Sequence, residues 1–312
     1  MFKGIIVQKY GGTSVADISR IENVAKRVVQ TARAGYKVVV IVSALGDTTD
    51  RLIDTALKIT MNPPDRELDM LLSTGEQASS ALLAMAINKL GPDAISFTGA
   101  QVGIITDSSF TKARIIDINA KRIIKELKSG KIVIVAGFQG VSVNQDITTL
   151  GRGGSNLTAV ALAKVLRAEM CEMYTDVEGV FTADPRIVGN ARKLKKISYE
   201  EMFELASSGA QVLQPRSIEV AMKFSVPIHV RSSFSKSRGT IISKEVKAME
   251  HIVISGVALN KDEAKITICD VPDKPGIAAR IFKDLARENI NVDMIIQNVS
   301  RTGATDVSFT GG

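Results

Sequence analysis

Two apolar runs rich in β-branched residues, Val38–Val42 and Ile132–Ala136, leave few folds open. Successive side chains of a strand point to opposite faces, so a run apolar at every position must be covered on both. That is the condition of a parallel sheet between two layers of helices. The surrounding pattern agrees. Ile5–Gln8 reads as a short buried strand ended by Gly11-Gly12. Ile18, Ile21, Ala25, Val28 and Ala32 then recur at helical spacing, with Gly35 where a C-terminal cap belongs. Strand, helix, strand is the repeating unit of an α/β sheet.

The unit recurs along the chain. Helices are predicted near Thr49–Thr60 and Glu67–Leu90, and a glycine-rich loop at Gly151–Gly154 opens another, with Ala159, Leu162, Ala163 and Leu166 on one face. Glu169–Thr175 and Pro227–Val230 read as strands, Tyr199–Ser207 and Pro215–Phe224 as helices. The expected architecture is an α/β sandwich with a mostly parallel sheet.

A charged, weakly patterned stretch near Lys244–His251 marks a boundary, giving domains 1–245 and 252–312. Beyond it, Ile254–Asn260 and Lys265–Cys269 read as strands and Asp270–Gly276 as a turn. Ile277–Glu288 reads as a helix with Ile277, Ile281, Leu285 and Ala286 inward, and Asn291–Asn298 and Asp306–Phe309 as strands. The order βαββ is most of a ferredoxin-like module. A complete one needs a further helix and strand, so the last strand edge is expected to be exposed or paired with another chain, making a homo-oligomer the expectation.

Composition narrows the function classes. A chain of 312 residues, 45% hydrophobic, exceeds one average domain. The net charge of +7 is spread along the sequence, with no zinc-finger spacing or aromatic-rich RNA motif, so no nucleic-acid partner is expected. Anionic small molecules suit the charge. Cys171 and Cys269, the only cysteines, lie among apolar residues and are expected to be buried free thiols in a reducing, cytoplasmic setting. The N-terminus lacks the pattern of a signal peptide and no stretch reaches 18 apolar residues, so no membrane span is expected.

Three motifs carry chemistry. Lys9-Tyr10-Gly11-Gly12-Thr13-Ser14 joins a strand to a helix: glycines let the backbone approach phosphates, and Lys9 can set a positive charge on a transferring phosphoryl group. Gly151-Arg152-Gly153-Gly154-Ser155-Asn156 opens a second helix, and Arg152 is suited to a two-pronged grip on a carboxylate. Thr175–Arg186 (TDVEGVFTADPR) begins at a strand end, where open parallel sheets bind ligands. There Asp176 can accept from a nucleotide sugar or base, Phe181 can pack on a purine and Arg186 can reach a phosphate. Each alone also fits an ordinary loop. The P-loop pattern GxxxxGK[ST] is absent.

In order along the chain, KYGGTS (9–14), VSALGDTTD (42–50), STGEQ (73–77), SFTGAQVGI (96–104), AGFQG (136–140), TTLGRGGSN (148–156), TDVEGVFTADPR (175–186), SSGAQVL (207–213) and PIHVRSSF (227–234) together resemble the aspartate kinases of the amino-acid kinase family. NINVDMIIQNVS (289–300) resembles their first ACT-type regulatory domain. The resemblance implies a three-layer α/β/α kinase domain followed by a partial ACT module. It implies transfer of the γ-phosphate of ATP, with Mg²⁺, to the β-carboxylate of L-aspartate, the first step towards lysine, threonine and methionine. By that likeness Lys9 is the phosphoryl-stabilising cation and Tyr10, Gly11 and Gly12 belong to the ATP loop. Ser43, Thr49, Glu76, Arg152 and Ser155 line the aspartate site, Glu76 facing the amino group and Arg152 a carboxylate. Thr175, Asp176, Phe181, Arg186, Gln211 and Val212 fall at the nucleotide, and Asp273, Asn291 and Gln297 at a lysine or threonine effector site. Feedback inhibition is expected to be weak with one module of a pair. His229 and His251 have no role in this scheme.

The sequence departs from the family pattern at two polar positions. Asn156 stands where the loop usually reads GRGGSD, and Gln211 where GAKVL is usual. Asn156 keeps the catalytic position but carries no charge to orient a lysine. Phe181 replaces a common tyrosine. A second reading is therefore a catalytically impaired subunit that binds ATP or an amino acid. Kinases of another small acid, such as glutamate, match the acceptor motifs less well.

Overall fold

The computed structural model describes residues 3–244, 255–260, 263–287, 290, 292, 294–297 and 304–311. The chain divides into two compact units, Met1–Ala258 and Leu259–Gly312. In chain order the first unit contains β1 (Ile5–Tyr10), α1 (Ile18–Arg33), β2 (Lys37–Val42), α2 (Thr48–Ile59), α3 (Asp65–Lys89), β3 (Ala94–Phe97), β4 (Ile104–Thr106), β5 (Ile115–Ile118) and α4 (Lys121–Lys128). It continues with β6 (Ile132–Ala136), β7 (Gln139–Ser142), β8 (Ile147–Thr149), α5 (Gly154–Val165), β9 (Met170–Thr175), β10 (Lys196–Ser198), α6 (Tyr199–Ser207), α7 (Pro215–Phe224), β11 (Ile228–Ser232) and β12 (Thr240–Ser243). The second unit contains β13 (Ala264–Pro272), α8 (Ile277–Arg287), β14 (Met294–Gln297) and β15 (Ala304–Gly311).

Eight strands form the central sheet in the order β10-β12-β11-β9-β1-β2-β6-β3. Every neighbouring pair is parallel except β11 with β12. The two apolar runs lie side by side in its middle, Val39 opposite Val133 and Ile41 opposite Val135. One set of their side chains packs with α1 and α3 (Val38, Val40, Val42, Ile134 with Val24, Val28, Leu83, Ile87). The other packs with α4, α5 and α7 (Val39, Ile41, Val133, Val135 with Ile123, Leu162, Ile218). This is the three-layer α/β/α sandwich expected.

Local chemistry sets the helix ends. The Asp17 carboxylate caps α1 by accepting from the Arg20 backbone N–H at 2.9 Å. Gly35, just past the end of α1, takes φ +96°, where a side chain is strained. Ser198 and Glu201 form a reciprocal capping box on α6, and Pro215 opens α7. A second, four-stranded sheet, β5-β4-β7-β8, was not foreseen. Its strands are only three or four residues long and carry mixed polar and apolar side chains, so neither periodicity stands out.

The second unit has the predicted βαββ order, with an antiparallel sheet β13-β15-β14. Phe282 of α8 meets Phe309 edge to face at 5.6 Å between ring centroids. Four expectations are corrected. Residues 255–260 form no strand; their backbone is not paired in a ladder. Strand β13 runs on to Pro272 through an irregularity between Ile268 and Val271, where Asp270 has φ +54°, so the turn begins later than Asp270. Ala286 is exposed; Ile277, Ile281 and Leu285 face the sheet with Phe282. Cys269 is exposed, whereas Cys171 is buried, because seven of the nine residues of β13 are exposed while β9 lies inside the central sheet. The expected stretches Asn291–Asn298 and Lys244–His251 lie partly outside the described residues, and Asn291 and His251 wholly so. Among the described residues no helix is long and apolar enough to cross a membrane.

Candidate active site

The carboxyl ends of β9, β1, β2 and β6 are neighbours, and the motifs emerge from them. The Gly11 N–H donates to Tyr174 O, the Ser43 N–H to Tyr10 O and the Gly137 N–H to Val42 O, at 3.3, 3.1 and 3.0 Å. The strand-end loops are thereby laced into one rim. Gly12 must be glycine: a Cβ there would lie 2.9 Å from Gly46 O and 3.0 Å from Ala44 O. Across the rim, a Cβ on Gly137 would lie 2.7 Å from Ser155 Oγ at the start of α5. The two glycine-rich loops therefore sit at the same end of the sheet.

Lys9 lies at this rim, half-buried on β1. Burial pulls its ammonium down to about 8, opposed by the nearby Cys171 and Asp176. Among the described residues no carboxylate lies within ion-pair distance of it. Asp176 is exposed at the end of β9 and accepts from Thr175 Oγ1 at 3.0 Å.

Glu76 is buried on α3. One oxygen accepts from the Ala44 N–H at 3.1 Å; the other, Oε2, is buried without a partner. Burial raises this carboxyl to about 7, against the opposing pull of the Ala44 N–H. A buried acceptor atom with nothing to accept from is costly to keep and suited to a donor brought by a ligand. Ser43 is half-buried on the same loop as Ala44, and Thr49 is half-buried in the first turn of α2.

The second glycine loop is held from below. Gly151 and Gly153 have φ of +74° and +71°, and a Cβ on Gly153 would collide with Gln214. The loop exposes Arg152 to solvent, while Ser155 and Asn156 are buried at the start of α5. Gln211 is exposed and Val212 half-buried in the turn before α7. Phe181 is half-buried and bridges to the Lys193 backbone. Arg186 is exposed and its guanidinium meets Asp184, with Nη2 to Oδ2 at 2.8 Å. An exposed cation two residues from a carboxylate readily forms such a local pair.

Sequence reasoning missed the groups that hold the site. Asp69 is fully buried and accepts from the Thr149 N–H (2.8 Å), Thr149 Oγ1 (2.5 Å) and the Thr111 N–H (3.0 Å). Thr111 itself has φ +65°, a strained value for a β-branched residue. Arg216 of α7 donates to Leu150 O and Ala113 O, both at 2.9 Å. A signal was present: Asp69, Ser73 and Glu76 recur at helical spacing on a face that must be buried.

The sequence profile of the amino acid kinase family matches residues 4–232, and that of the ACT domain matches residues 265–312. The aspartokinase of Mycolicibacterium smegmatis is 53% identical over 311 residues, covering 98% of this chain and 74% of that protein. The aspartate kinase of Pseudomonas putida is 54% identical over 307 residues, covering 98% and 75%. The chain belongs to the aspartokinase family. Among solved structures, Escherichia coli aspartokinase III in complex with aspartate and ADP superposes with a TM-score of 0.82 at 27% identity, over 98% of this chain and 78% of that one. Aspartate kinase from Synechocystis superposes at 0.72 with 44% identity; the chain spans about half of it, 52%.

Proposed function

We propose that the chain transfers the γ-phosphate of ATP to the β-carboxylate of L-aspartate, giving 4-phospho-L-aspartate and ADP. The observation that carries this is the orphaned, buried Oε2 of Glu76 at the same rim as the desolvated ammonium of Lys9. One is an acceptor awaiting an amino group; the other is a cation for phosphoryl oxygens.

The chemistry asks mainly for alignment and charge neutralisation. An oxygen of the ionised acceptor carboxylate forms the new bond to the γ-phosphorus while the bond to the β,γ-bridging oxygen breaks, and the electron pair leaves with ADP. No base is needed, because the attacking carboxylate carries no proton. Arg152 grips the other acceptor carboxylate, Glu76 the amino group, and Ser43, Thr49 and Ser155 complete the acceptor pocket. Lys9 faces the oxygens where charge builds, strengthened by its partial burial. Gly11 and Gly12 allow the phosphates close to backbone N–H groups, and Tyr10 anchors that loop from below. Thr175, Asp176, Phe181, Arg186, Gln211 and Val212 surround the nucleoside, Arg186 exchanging Asp184 for phosphate.

Mg²⁺ fits as a partner of the nucleotide. The described residues hold no cluster of three or more groups that could cage a metal, which suits an ion that rides on the phosphates with few protein ligands. Bound there, it would neutralise phosphate charge.

A concavity of about 310 Å³ in the second unit is lined by Asp273, Lys274 and Gln297. It suits a small amino-acid effector, lysine or threonine. The edge strand β14 exposes Met294, Ile295 and Ile296, which supports pairing of this unit with a second copy.

The test is an ADP-release assay with Mg-ATP and aspartate, trapping the acyl phosphate with hydroxylamine. Aspartate-dependent hydroxamate is expected. Its absence at high protein concentration, with nucleotide still bound, would favour the second reading, a binding subunit, which the neutral Asn156 and Gln211 support.

A further inference from the structure

Strands β9 and β11 break the rule that strands inside a parallel sheet are apolar on both faces. Cys171, Met173, Ile228 and Val230 enter the core beside α5 and α7. The alternate positions are Glu172, Tyr174, His229 and Arg231. On that second face α1 and α3 cover β1, β2 and β6, and a concavity of about 1050 Å³ opens between α1 and β9–β11.

Its walls are basic. Arg20, Lys26, Arg27, Arg231 and Lys236 line it, against the carboxylates of Glu169 and Glu172. Glu172 is already engaged, with Arg231 Nη1 at 2.9 Å, Gln8 Nε2 at 2.7 Å and the Tyr174 hydroxyl at 3.1 Å. Arg20 pairs with Asp17 at 3.2 Å and Arg27 donates to Ser233 O and Ser235 O, both at 3.2 Å, so the cations that meet no carboxylate within ion-pair distance among the described residues are Arg27, Lys26 and Lys236. Two guanidiniums flank one ring: Arg27 stands 4.9 Å and Arg231 5.5 Å from the centroid of Tyr174. Arg231 Nε is buried with no hydrogen-bond partner. A guanidinium that lines a cationic hollow with one donor still unpaired is costly to keep without a further acceptor nearby.

We propose that this groove is a second ligand site, taking a small multivalent anion that bears phosphate or carboxylate groups. It is separate from the nucleotide site, because alternation on β1 sends Gln8 and Tyr10 to the groove's face and Lys9 to the other. The anion meets the guanidiniums of Arg231 and Arg27 between α1 and the strands, and Lys26 and Lys236 at the exposed edge.

The chain contains no tryptophan and four tyrosines, and Tyr36 and Tyr174 line the groove, so tyrosine emission reports on it directly. The experiment titrates the whole chain with inorganic phosphate and, separately, with citrate, by calorimetry and tyrosine fluorescence, with Mg-ADP saturating the nucleotide site. Saturable binding with a change in emission is expected for at least one probe, and which one binds distinguishes a phosphate ligand from a polycarboxylate. The variant Lys26→Gln/Lys236→Gln touches only exposed residues, and Arg231→Lys keeps the charge that faces Glu172 while removing the forked guanidinium. Arg231→Lys should weaken binding about tenfold, the loss of one charge-assisted contact, and the lysine pair, which loses two, about a hundredfold with unchanged melting temperature. Absence of saturable binding by both probes overturns the proposal. So does binding that Mg-ADP abolishes, or binding that both variants leave intact.

Discussion

Asp69 and Glu76 stand two turns apart on one buried face of α3, and each holds a different wall of the site. Asp69 accepts from Thr149, which leads into the Arg152 loop; Glu76 accepts from Ala44, on the Ser43 loop. The helix between them sets the separation of the two walls. Replacing Asp69 by Asn keeps one acceptor oxygen and loosens the Thr149 anchor. We expect kcat/KM for aspartate to fall about 10²-fold, as for a misplacement of about 1 Å, with KM for ATP little changed. Steady-state kinetics with each substrate varied in turn checks the split; equal loss for both substrates would argue for a general structural role.

Glu76 gives a pH signature. Its carboxyl is raised to about 7 in the folded chain, so the fold binds this proton more tightly than the unfolded chain does. The stability it contributes is full below about pH 4.5, and is lost as pH rises through about 7. Glu76→Gln should remove that decline, flattening the melting temperature between these limits. An amino group docking on Oε2 favours the ionised form, so aspartate binding near pH 6 should release a proton. Calorimetry in buffers of different ionisation enthalpy reads this release.

Lys9 must carry its proton to stabilise a phosphoryl group. With its ammonium at about 8, kcat/KM for ATP should fall as pH rises through that value. Lys9→Met should cost 10²–10³-fold or about that in kcat, comparable to losing one preorganised donor, without loss of fold by circular dichroism.

Asn156 and Gln211 can be tested together. Asn156→Asp restores a carboxylate in the first turn of α5, where an anion is favoured, and Gln211→Lys a cation near the phosphates. The double variant should raise kcat about tenfold or more. An unchanged rate in the hydroxamate assay would separate these residues from turnover.

Much of the fold was legible. Val38–Val42 and Ile132–Ala136 demanded two covers, and the strongly amphipathic segments between strands supplied them. Helices α6 and α7 match their expected limits because Ser198–Glu201 and Pro215 are local stop and start signals. The small second sheet was not legible, since its short strands are held by a distant pairing, Ile105 with Val141, and by a side-chain hydrogen bond across β7 between Thr106 and Thr148, whose hydroxyls lie 2.6 Å apart. In the site, the glycines and Lys9 announced themselves by motif. Asp69 shared a helical spacing with Glu76, but its partners Thr111 and Thr149 lie 42 and 80 residues away, and Arg216 left no signal because its partners are backbone carbonyls 66 and 103 residues away.

The two thiols differ in a practical way. Cys171 is enclosed, and burial pushes its thiol up, so little nucleophilic thiolate forms beside Lys9. Cys269 faces solvent on β13. A maleimide dye offered to the native chain should therefore attach to one atom only, placing a single fluorescent reporter on the regulatory unit with no cysteine engineering at all.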